Sequence, residues 1–81
     1  MPSAFELRPQ AAKSLRRLSR TDRERILTAI EGLPAGDVRS LTGRPGEYRL
    51  RVGDWRILFG IGQGDVIVVY RIAARGSAYH P

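Results

Sequence analysis

Apolar and polar residues alternate along the chain from Tyr48 to Phe59, on both sides of a central Gly53–Asp54 dipeptide. This period-two pattern around a two-residue turn predicts a β-hairpin. Directly opposed residues lie on the same side of a sheet, so the position of the turn fixes the two faces. The expected pairs are Val52 with Trp55, Arg51 with Arg56, Leu50 with Ile57, Arg49 with Leu58 and Tyr48 with Phe59. The apolar face, Trp55 included, is interpreted as half of the hydrophobic core.

Before the hairpin, the spacing of apolar residues changes to that of two amphipathic helices. The apolar positions are Ala11, Leu15 and Leu18 in the first helix and Ile26, Leu27, Ile30 and Leu33 in the second. Pro9 suits the first turn of a helix. Thr21 followed by Glu24 is interpreted as a capping box that opens the second helix, and Gly32 and Pro34 end it. The two segments therefore predict a helical hairpin.

The remaining segments complete the predicted fold. Residues 5–7 form a short alternating strand, residues 34–46 are rich in Gly and Pro and are interpreted as a connecting loop, and residues 66–72 form a third long strand. The predicted order is β-α-α-β-β-β. We expect an α+β fold in which a two-helix hairpin packs on one face of an antiparallel sheet, within a single domain spanning residues 1–81.

A four-residue loop at Gly62–Asp65 sets the expected register of the last strand. Ile61 then faces Val66, and continuing the pairs places Arg71 opposite Arg56. Between the Ile61–Val66 and Arg56–Arg71 pairs, we expect Phe59 to face Val68 and Ile57 to face Tyr70. Arg71 would join the polar face of the hairpin, which Ile67 and Val69 would share.

Composition adds a strong basic bias. Fourteen basic residues against eight acidic ones give a net charge of +6, and Lys13 is the only lysine. Codon composition in a GC-rich genome is one explanation for the arginines, and a polyanionic partner is the other. The lack of cysteine excludes disulfides and thiolate metal sites. No apolar run is long enough to span a bilayer, so we expect a soluble, cytoplasmic protein that does not bind membranes.

The polar face of the hairpin collects Arg49, Arg51 and Arg56, and no acid of the predicted hairpin shares it. Like charges placed directly opposite one another destabilise a sheet, which suggests an anionic partner. Arginine presents planar donor forks that suit phosphate. Arg71 and Arg75 can extend this surface. The alternative is a solvated strand face, or arginines paired with the acids Glu6, Glu47 or Asp37.

Few residues can carry protons in this chain. His80 is the only histidine and stands one residue from the end. Tyr79 can stack on an unpaired base or act in proton transfer, and the alternative is that it covers an edge of the core. No set of residues suits zinc, and no Gly-rich loop with lysine can cradle a nucleotide. Catalysis would therefore rest on charge stabilisation by arginine, with no cofactor.

The hairpin at 48–59, the strand at 66–72 and the Arg75–Tyr79 spacing together resemble the RelE branch of the RelE/ParE toxin superfamily. The Leu41-x-Gly43 segment and the strand followed by two helices agree with that resemblance, which covers nearly the whole chain. It implies the RelE-like microbial ribonuclease fold. It also implies the toxin of a type II toxin–antitoxin pair.

The resemblance implies a metal-independent endoribonuclease, an mRNA interferase that cuts mRNA in the A site of the 30S ribosomal subunit. In such enzymes the 2′-hydroxyl attacks the adjacent phosphate. The residues that match the active surface of the family are Arg49, Arg51, Arg56, Arg75 and Tyr79. We further expect RNA binding by Arg71, Lys13, Arg16 and Arg17. The implied partners are a cognate antitoxin, mRNA and the ribosome, with operator DNA reached only through the antitoxin.

The chain departs from the RelE pattern at three positions. RelE-like enzymes commonly carry lysine at one or both of the positions held here by Arg49 and Arg51, and many carry histidine at the position of Ala74. Lysine can lose a proton and act as a base, whereas arginine stays charged. Two alternatives therefore remain: a ParE-like inhibitor of DNA gyrase with the same fold, and a non-catalytic domain that binds RNA or the antitoxin.

Overall fold

The computed structural model describes residues 4–75. In chain order its elements are β1 (Phe5–Leu7), α1 (Pro9–Arg16), α2 (Arg20–Glu31), β2 (Asp37–Ser40), β3 (Glu47–Val52), β4 (Trp55–Ile61) and β5 (Ile67–Ala74). One sheet contains all five of these strands, in the spatial order β1-β5-β4-β3-β2. β1 pairs with β5 in parallel, and the other neighbours are antiparallel. The helical hairpin packs against one face of this sheet.

The predicted α+β fold with a helical hairpin on one sheet face is confirmed. Two details of the predicted sheet are wrong. The segment interpreted as a loop contains a fifth strand, β2, which is only four residues long and pairs with β3. The sheet is also mixed rather than wholly antiparallel, because β1 lies beside β5 at the opposite edge from β2. Both details depend on pairings between distant segments, which local alternation does not specify.

The helices begin and end close to the predicted positions. Pro9 is the first residue of α1, as expected. The predicted capping box is wrong, because the N-cap of α2 is Ser19, whose hydroxyl accepts a hydrogen bond of 3.2 Å from the backbone N–H of Asp22. Glu24 instead accepts a 3.0 Å hydrogen bond from Arg20. Within residues 4–75, neither helix has the length and apolar character needed to cross a membrane.

The hydrophobic core lies between the helices and the inner face of the sheet. Its buried members are Ala11, Leu15, Ile26, Ile30, Leu33, Leu50, Ile57, Phe59, Ile67, Val69 and Ile72. Trp55 is partly buried against this cluster, as predicted. Tyr48 and Phe59 stack with ring centroids 5.5 Å apart. The outer face of the sheet therefore lies outside this core.

The register of the β3–β4 hairpin is the predicted one at every pair from Tyr48–Phe59 to Val52–Trp55. The predicted register between β4 and β5 is wrong, because Ile61 faces Ile67 instead of Val66. The connection is one residue longer than expected and contains a 3₁₀ turn. It closes with a 2.7 Å hydrogen bond from the N–H of Gly62 to the carbonyl of Val66. Ile67 and Val69 consequently face the core, not the polar face.

Candidate functional site

The outer face of the sheet carries two rows of residues that run across four strands. The first row consists of Arg39, Arg49, Leu58 and Arg71, and the second of Asp37, Arg51, Arg56 and Ala73. We call the five arginines of these rows the arginine face. The strand pairings thus bring together all four of the sheet arginines that the sequence singled out. They also add Arg39, which was missed because β2 was not recognised as a strand.

A β-bulge determines the direction of Arg71. Leu58 pairs with Arg71 while its neighbour Phe59 pairs with Val69, so Tyr70 is an extra residue in β5. If Tyr70 were instead paired regularly with Leu58, Arg71 would face Ile57 and point towards the core. Bulges commonly re-aim a side chain in this way. The predicted pairing of Arg71 with Arg56 is therefore wrong, but Arg71 still belongs to the arginine face.

Arg56 is a structural member of this face. Arg56 is only 6% exposed. Its guanidinium donates hydrogen bonds to the carbonyls of Gly53 and Trp55, at 3.0 and 3.1 Å. The first acceptor lies in the hairpin turn and the second directly follows it, so Arg56 holds the turn in place and carries a positive charge beside it. A buried charge of this kind needs such partners, because unpaired burial is strongly unfavourable. The guanidinium is consequently held in one position.

Arg49 has an acidic partner on the same face. Its guanidinium lies 3.1 Å from a carboxylate oxygen of Asp37 and its side chain is 12% exposed, whereas that of Asp37 is 48% exposed. Glu47, at the start of β3, also lies on this side of the strand by alternation. The expectation that no acid of residues 48–59 shares this face holds, but Asp37 and Glu47, from outside that stretch, do share it. The pairing of Arg49 with Asp37 matches the alternative left open from the sequence.

Leu58 is a buried apolar residue on the outer face of the sheet, between arginines. It is 1% exposed, yet it is not part of the core cluster, because it points to the outer face. The residues directly opposite it are Arg49 and Arg71. Long arginine side chains can cover apolar surface with their aliphatic stems while the charged heads stay in water. The stems of Arg49 and Arg71, its neighbours in the first row, can therefore cover Leu58.

Exposed cations gather at the end of the sheet that carries the hairpin turn. Arg51 is exposed on β3, immediately before the turn, and Arg75 is exposed just after β5. The backbone N–H of Arg75 donates a 2.8 Å hydrogen bond to the carbonyl of Asp54, which ties the end of β5 to the turn. Together with Arg56 these residues form what we call the turn-end cluster, defined as Arg51, Arg56 and Arg75.

The other predicted site residues are not at this cluster. Lys13, Arg16 and Arg17 are exposed on or just after α1, in the helical layer on the opposite side of the sheet. The structure therefore does not bring them together with the arginine face. Tyr79 lies outside the described residues. Within residues 4–75, no group of three or more potential acidic or histidine ligands is placed to hold a metal ion.

Tyr70, the bulge residue, makes a polar contact at the edge of this face. Its hydroxyl donates a 2.5 Å hydrogen bond to Glu47. Burial and this hydrogen bond raise the pKa of Tyr70 to about 12, and the nearby Arg44 acts in the opposite direction. The hydroxyl therefore remains protonated at neutral pH and acts as a donor. Glu47 keeps its negative charge while it accepts this hydrogen bond.

Comparison with known proteins gives a family-level match. Residues 5–79 match the family model described as ParE toxin of the type II toxin–antitoxin system parDE. No curated protein matches the chain in sequence.

Solved structures show a similar fold. The chain superposes on the RelB–RelE antitoxin–toxin complex from Methanococcus jannaschii with a TM-score of 0.74 and 28% identity, covering 90% of this chain and 93% of that one. The archaeal RelE–RelB complex from Pyrococcus horikoshii superposes with a TM-score of 0.74 at 28% identity, covering 96% of this chain and 100% of that one. The RelBE2 complex from Mycobacterium tuberculosis, at 21% identity and a TM-score of 0.74 over 93% and 100%, supports the fold alone.

Proposed function

Because the chain belongs to the ParE toxin family of type II toxin–antitoxin systems, we propose that this toxin is a RelE-like mRNA interferase that cuts mRNA in the ribosomal A site. Membership of the family confirms the resemblance to the RelE/ParE superfamily. Two structural relatives at 28% identity are described as RelE proteins in complexes with RelB. The observation that carries the proposal is the turn-end cluster, in which three arginines meet beside one turn.

The cluster suits phosphate chemistry. In the proposed reaction the 2′-oxygen of a ribose attacks the adjacent phosphorus, and the bond from phosphorus to the 5′-oxygen of the next nucleotide breaks. The products are a 2′,3′-cyclic phosphate and a 5′-hydroxyl. Negative charge builds on the phosphoryl oxygens in the transition state, and preorganised donors stabilise it best. Arg56 is preorganised by its bonds to the turn, and Arg51 and Arg75 are exposed and can reach the substrate.

The arginines divide into different roles within this proposal. Arg51 and Arg75 bind the scissile phosphate, and Arg56 supplies a fixed charge. Arg49 is partly neutralised by Asp37 and contributes less to binding. Tyr79 stacks on the base next to the cut and keeps the attacking and departing oxygens in line. Stacking of this kind does not depend on which base is present.

None of these arginines can act as the base, because guanidinium stays protonated in proteins. In this proposal the proton of the 2′-hydroxyl therefore passes to solvent, and the departing 5′-oxygen takes a proton from solvent. This route predicts a cleavage rate that rises continuously with pH across the neutral range. A bell-shaped profile would instead indicate a side chain that titrates and acts as the base.

The proposed partner is a cognate antitoxin, since the structural relatives were solved as antitoxin–toxin complexes. We expect an acidic or amphipathic segment of that antitoxin to lie over the helices and the arginine face. Operator DNA would be bound only through the antitoxin. The proposed site of action is the cytoplasm, where the ribosomes are.

Induced expression followed by primer extension on a translated reporter message tests the proposal. Wild-type toxin should produce discrete stops within codons and arrest translation, and the stops should disappear in Arg51→Ala and Arg75→Ala. Arg20→Ala is the matched control, because it removes the same charge from an exposed position on α2. Loss of growth inhibition in the control, or full cleavage in both site variants, would show that the turn-end cluster is not the active surface.

Inhibition of DNA gyrase is the second candidate, favoured by the ParE description of the family model. The same expression experiment separates the two functions. Induction of DNA-damage signalling without cleaved messages supports gyrase inhibition. Intact messages together with retained RNA or antitoxin binding and no damage signal support a non-catalytic domain.

A further inference from the structure

The loop between β2 and β3 borders an open groove, and no residue of the turn-end cluster lines it. Its volume is about 410 Å³. The lining residues are Arg39, Ser40, Leu41, Thr42, Arg44 and Arg49. We call it the β2 groove. Three of its residues are arginines, two carry hydroxyl groups and none is an acid, so its walls offer hydrogen-bond donors and positive charge.

Two of these arginines are exposed to solvent, and Arg44 also lies close to the hydroxyl of Tyr70. Arg39 and Arg44 are exposed, whereas Arg49 contacts Asp37. Within residues 4–75, no ion pair joins Arg39 or Arg44 to an acid. Glu47, the acid nearest to Arg44 in the chain, accepts its hydrogen bond from Tyr70. The positive charge of the groove is therefore not cancelled by a carboxylate of its own lining.

The β2 groove is continuous with the arginine face. Arg49 lines the groove and lies directly opposite Arg39 in the first row. Arg51 is the diagonal neighbour of Arg39, and such neighbours are about 7–8 Å apart. A single-stranded polynucleotide with one phosphate at the turn-end cluster can therefore place a neighbouring phosphate near the groove.

We propose that the β2 groove is a second phosphate-binding subsite, in which Arg39 and Arg44 hold the RNA backbone beside the nucleotide that is cut. Arginine forks match phosphate oxygens in two-point contacts, and Ser40 and Thr42 add hydroxyl donors of the kind that contact phosphates in nucleic-acid complexes. This inference rests on the proposed function for its ligand, which is single-stranded RNA. The subsite would position the message and would take no part in the bond-breaking step.

Binding of a non-cleavable RNA tests the subsite separately from cleavage. The probe is a fluorescent single-stranded oligonucleotide with a 2′-deoxy sugar at the cut position, which lacks the attacking hydroxyl. Its affinity for the purified toxin is measured over a range of salt concentrations. For single strands, the slope of log K against log salt changes by about 0.7 for each phosphate contact. The double variant Arg39→Ala/Arg44→Ala should therefore flatten the slope by about 1.4.

Two further variants make the measurement specific. Arg20→Ala/Arg23→Ala removes two charges from α2 and should leave the slope almost unchanged. Arg39→Lys/Arg44→Lys keeps the charge and should restore most of the slope while weakening affinity, because lysine lacks the planar fork. If the alanine double variant does not fold, Arg44→Gln alone, in the exposed loop, should flatten the slope by about half as much.

The outcomes separate this inference from the proposed function. A flattened slope in a toxin that cleaves no message would support the subsite and contradict the interferase assignment. Normal cleavage with an unchanged slope in the alanine double variant would overturn the subsite and leave the interferase assignment intact. Loss of antitoxin binding with an unchanged RNA slope would also overturn it, since the groove would then hold a protein carboxylate.

Discussion

The carboxylate of Asp37 lies 3.1 Å from the guanidinium of Arg49, across the pairing of β2 with β3. This contact holds one of the five arginines of the arginine face away from a substrate. It also relieves repulsion between Arg49 and Arg39, which lie directly opposite one another. In the proposed function, Asp37 would compete with the RNA phosphate for Arg49.

Replacing Asp37 should release Arg49 for RNA. We expect Asp37→Asn to raise affinity for the non-cleavable oligonucleotide and to steepen its salt slope by about 0.7, equivalent to one added phosphate contact. The free energy of unfolding should fall by about 1 kcal/mol or less, because the acid is half exposed. Asp22→Asn, on α2, makes the same change in net charge and serves as the control. An equal gain in affinity in both variants would attribute the effect to net charge alone.

Arg56 and Arg51 should respond differently to truncation. Arg56→Ala removes two hydrogen bonds that hold the hairpin turn, and we expect the free energy of unfolding to fall by about 2–3 kcal/mol. Arg51→Ala alters an exposed residue and should change stability by about 0.5 kcal/mol or less, while abolishing cleavage. Urea denaturation beside a cleavage assay measures both properties. Equal stability of the two variants would contradict the structural role of Arg56.

The Tyr70–Glu47 hydrogen bond predicts a loss of stability at high pH. The pKa of Tyr70 is raised to about 12 in the folded chain, against about 10 for an unfolded tyrosine. The protonated hydroxyl therefore stabilises the fold fully below about pH 10, and this contribution disappears as the pH rises towards 12.

Urea denaturation at a series of alkaline pH values tests this expectation. Tyr70→Phe should be less stable than wild type at neutral pH and should lose less stability across the window. Tyr48→Phe is the control, because it keeps the ring that stacks on Phe59. Parallel stability profiles for wild type and Tyr70→Phe would show that the phenol makes no pH-dependent contribution.

Leu58 should contribute to stability despite lying outside the main core. Leu58→Ala removes a side chain that is 1% exposed, and we expect a loss of about 2 kcal/mol, at the low end for a buried leucine because the flanking arginine stems can partly fill the space. Ile61→Ala changes a residue that is 55% exposed and should have a much smaller effect. Similar losses in both variants, measured by chemical denaturation, would contradict a packed layer beneath the arginines.

The central hairpin was predictable because its information is local. A two-residue turn and a period-two pattern set the pairs from Tyr48–Phe59 to Val52–Trp55, and this placed Arg49, Arg51 and Arg56 on one face. The two helices were equally evident from the spacing of their apolar residues. Only the cap of α2 was misplaced, because Ser19 and Thr21 both carry a hydroxyl and both stand three residues before an acid.

The parts that were not predictable depend on distant pairing or on local exceptions. β2 has four residues with a single apolar side chain, Val38, and it is recognisable only when β3 lies beside it. The turn before β5 contains Asp65 in a left-handed conformation, with φ of 60°, a geometry that aspartate tolerates more readily than most residues. Burial of Arg56 and the pairing of Arg49 with Asp37 likewise require the assembled sheet.

The extra residue in β5 has a consequence for comparing this toxin with its relatives. Arg71 reaches the outer face only because Tyr70 adds one position between Val69 and Arg71. A homologue with a regular strand would reach the same face with one residue fewer. Alignments should therefore open a one-residue gap at Tyr70. An ungapped comparison would match Arg71 to a core position and misread an arginine of the outer face as a substitution in the interior.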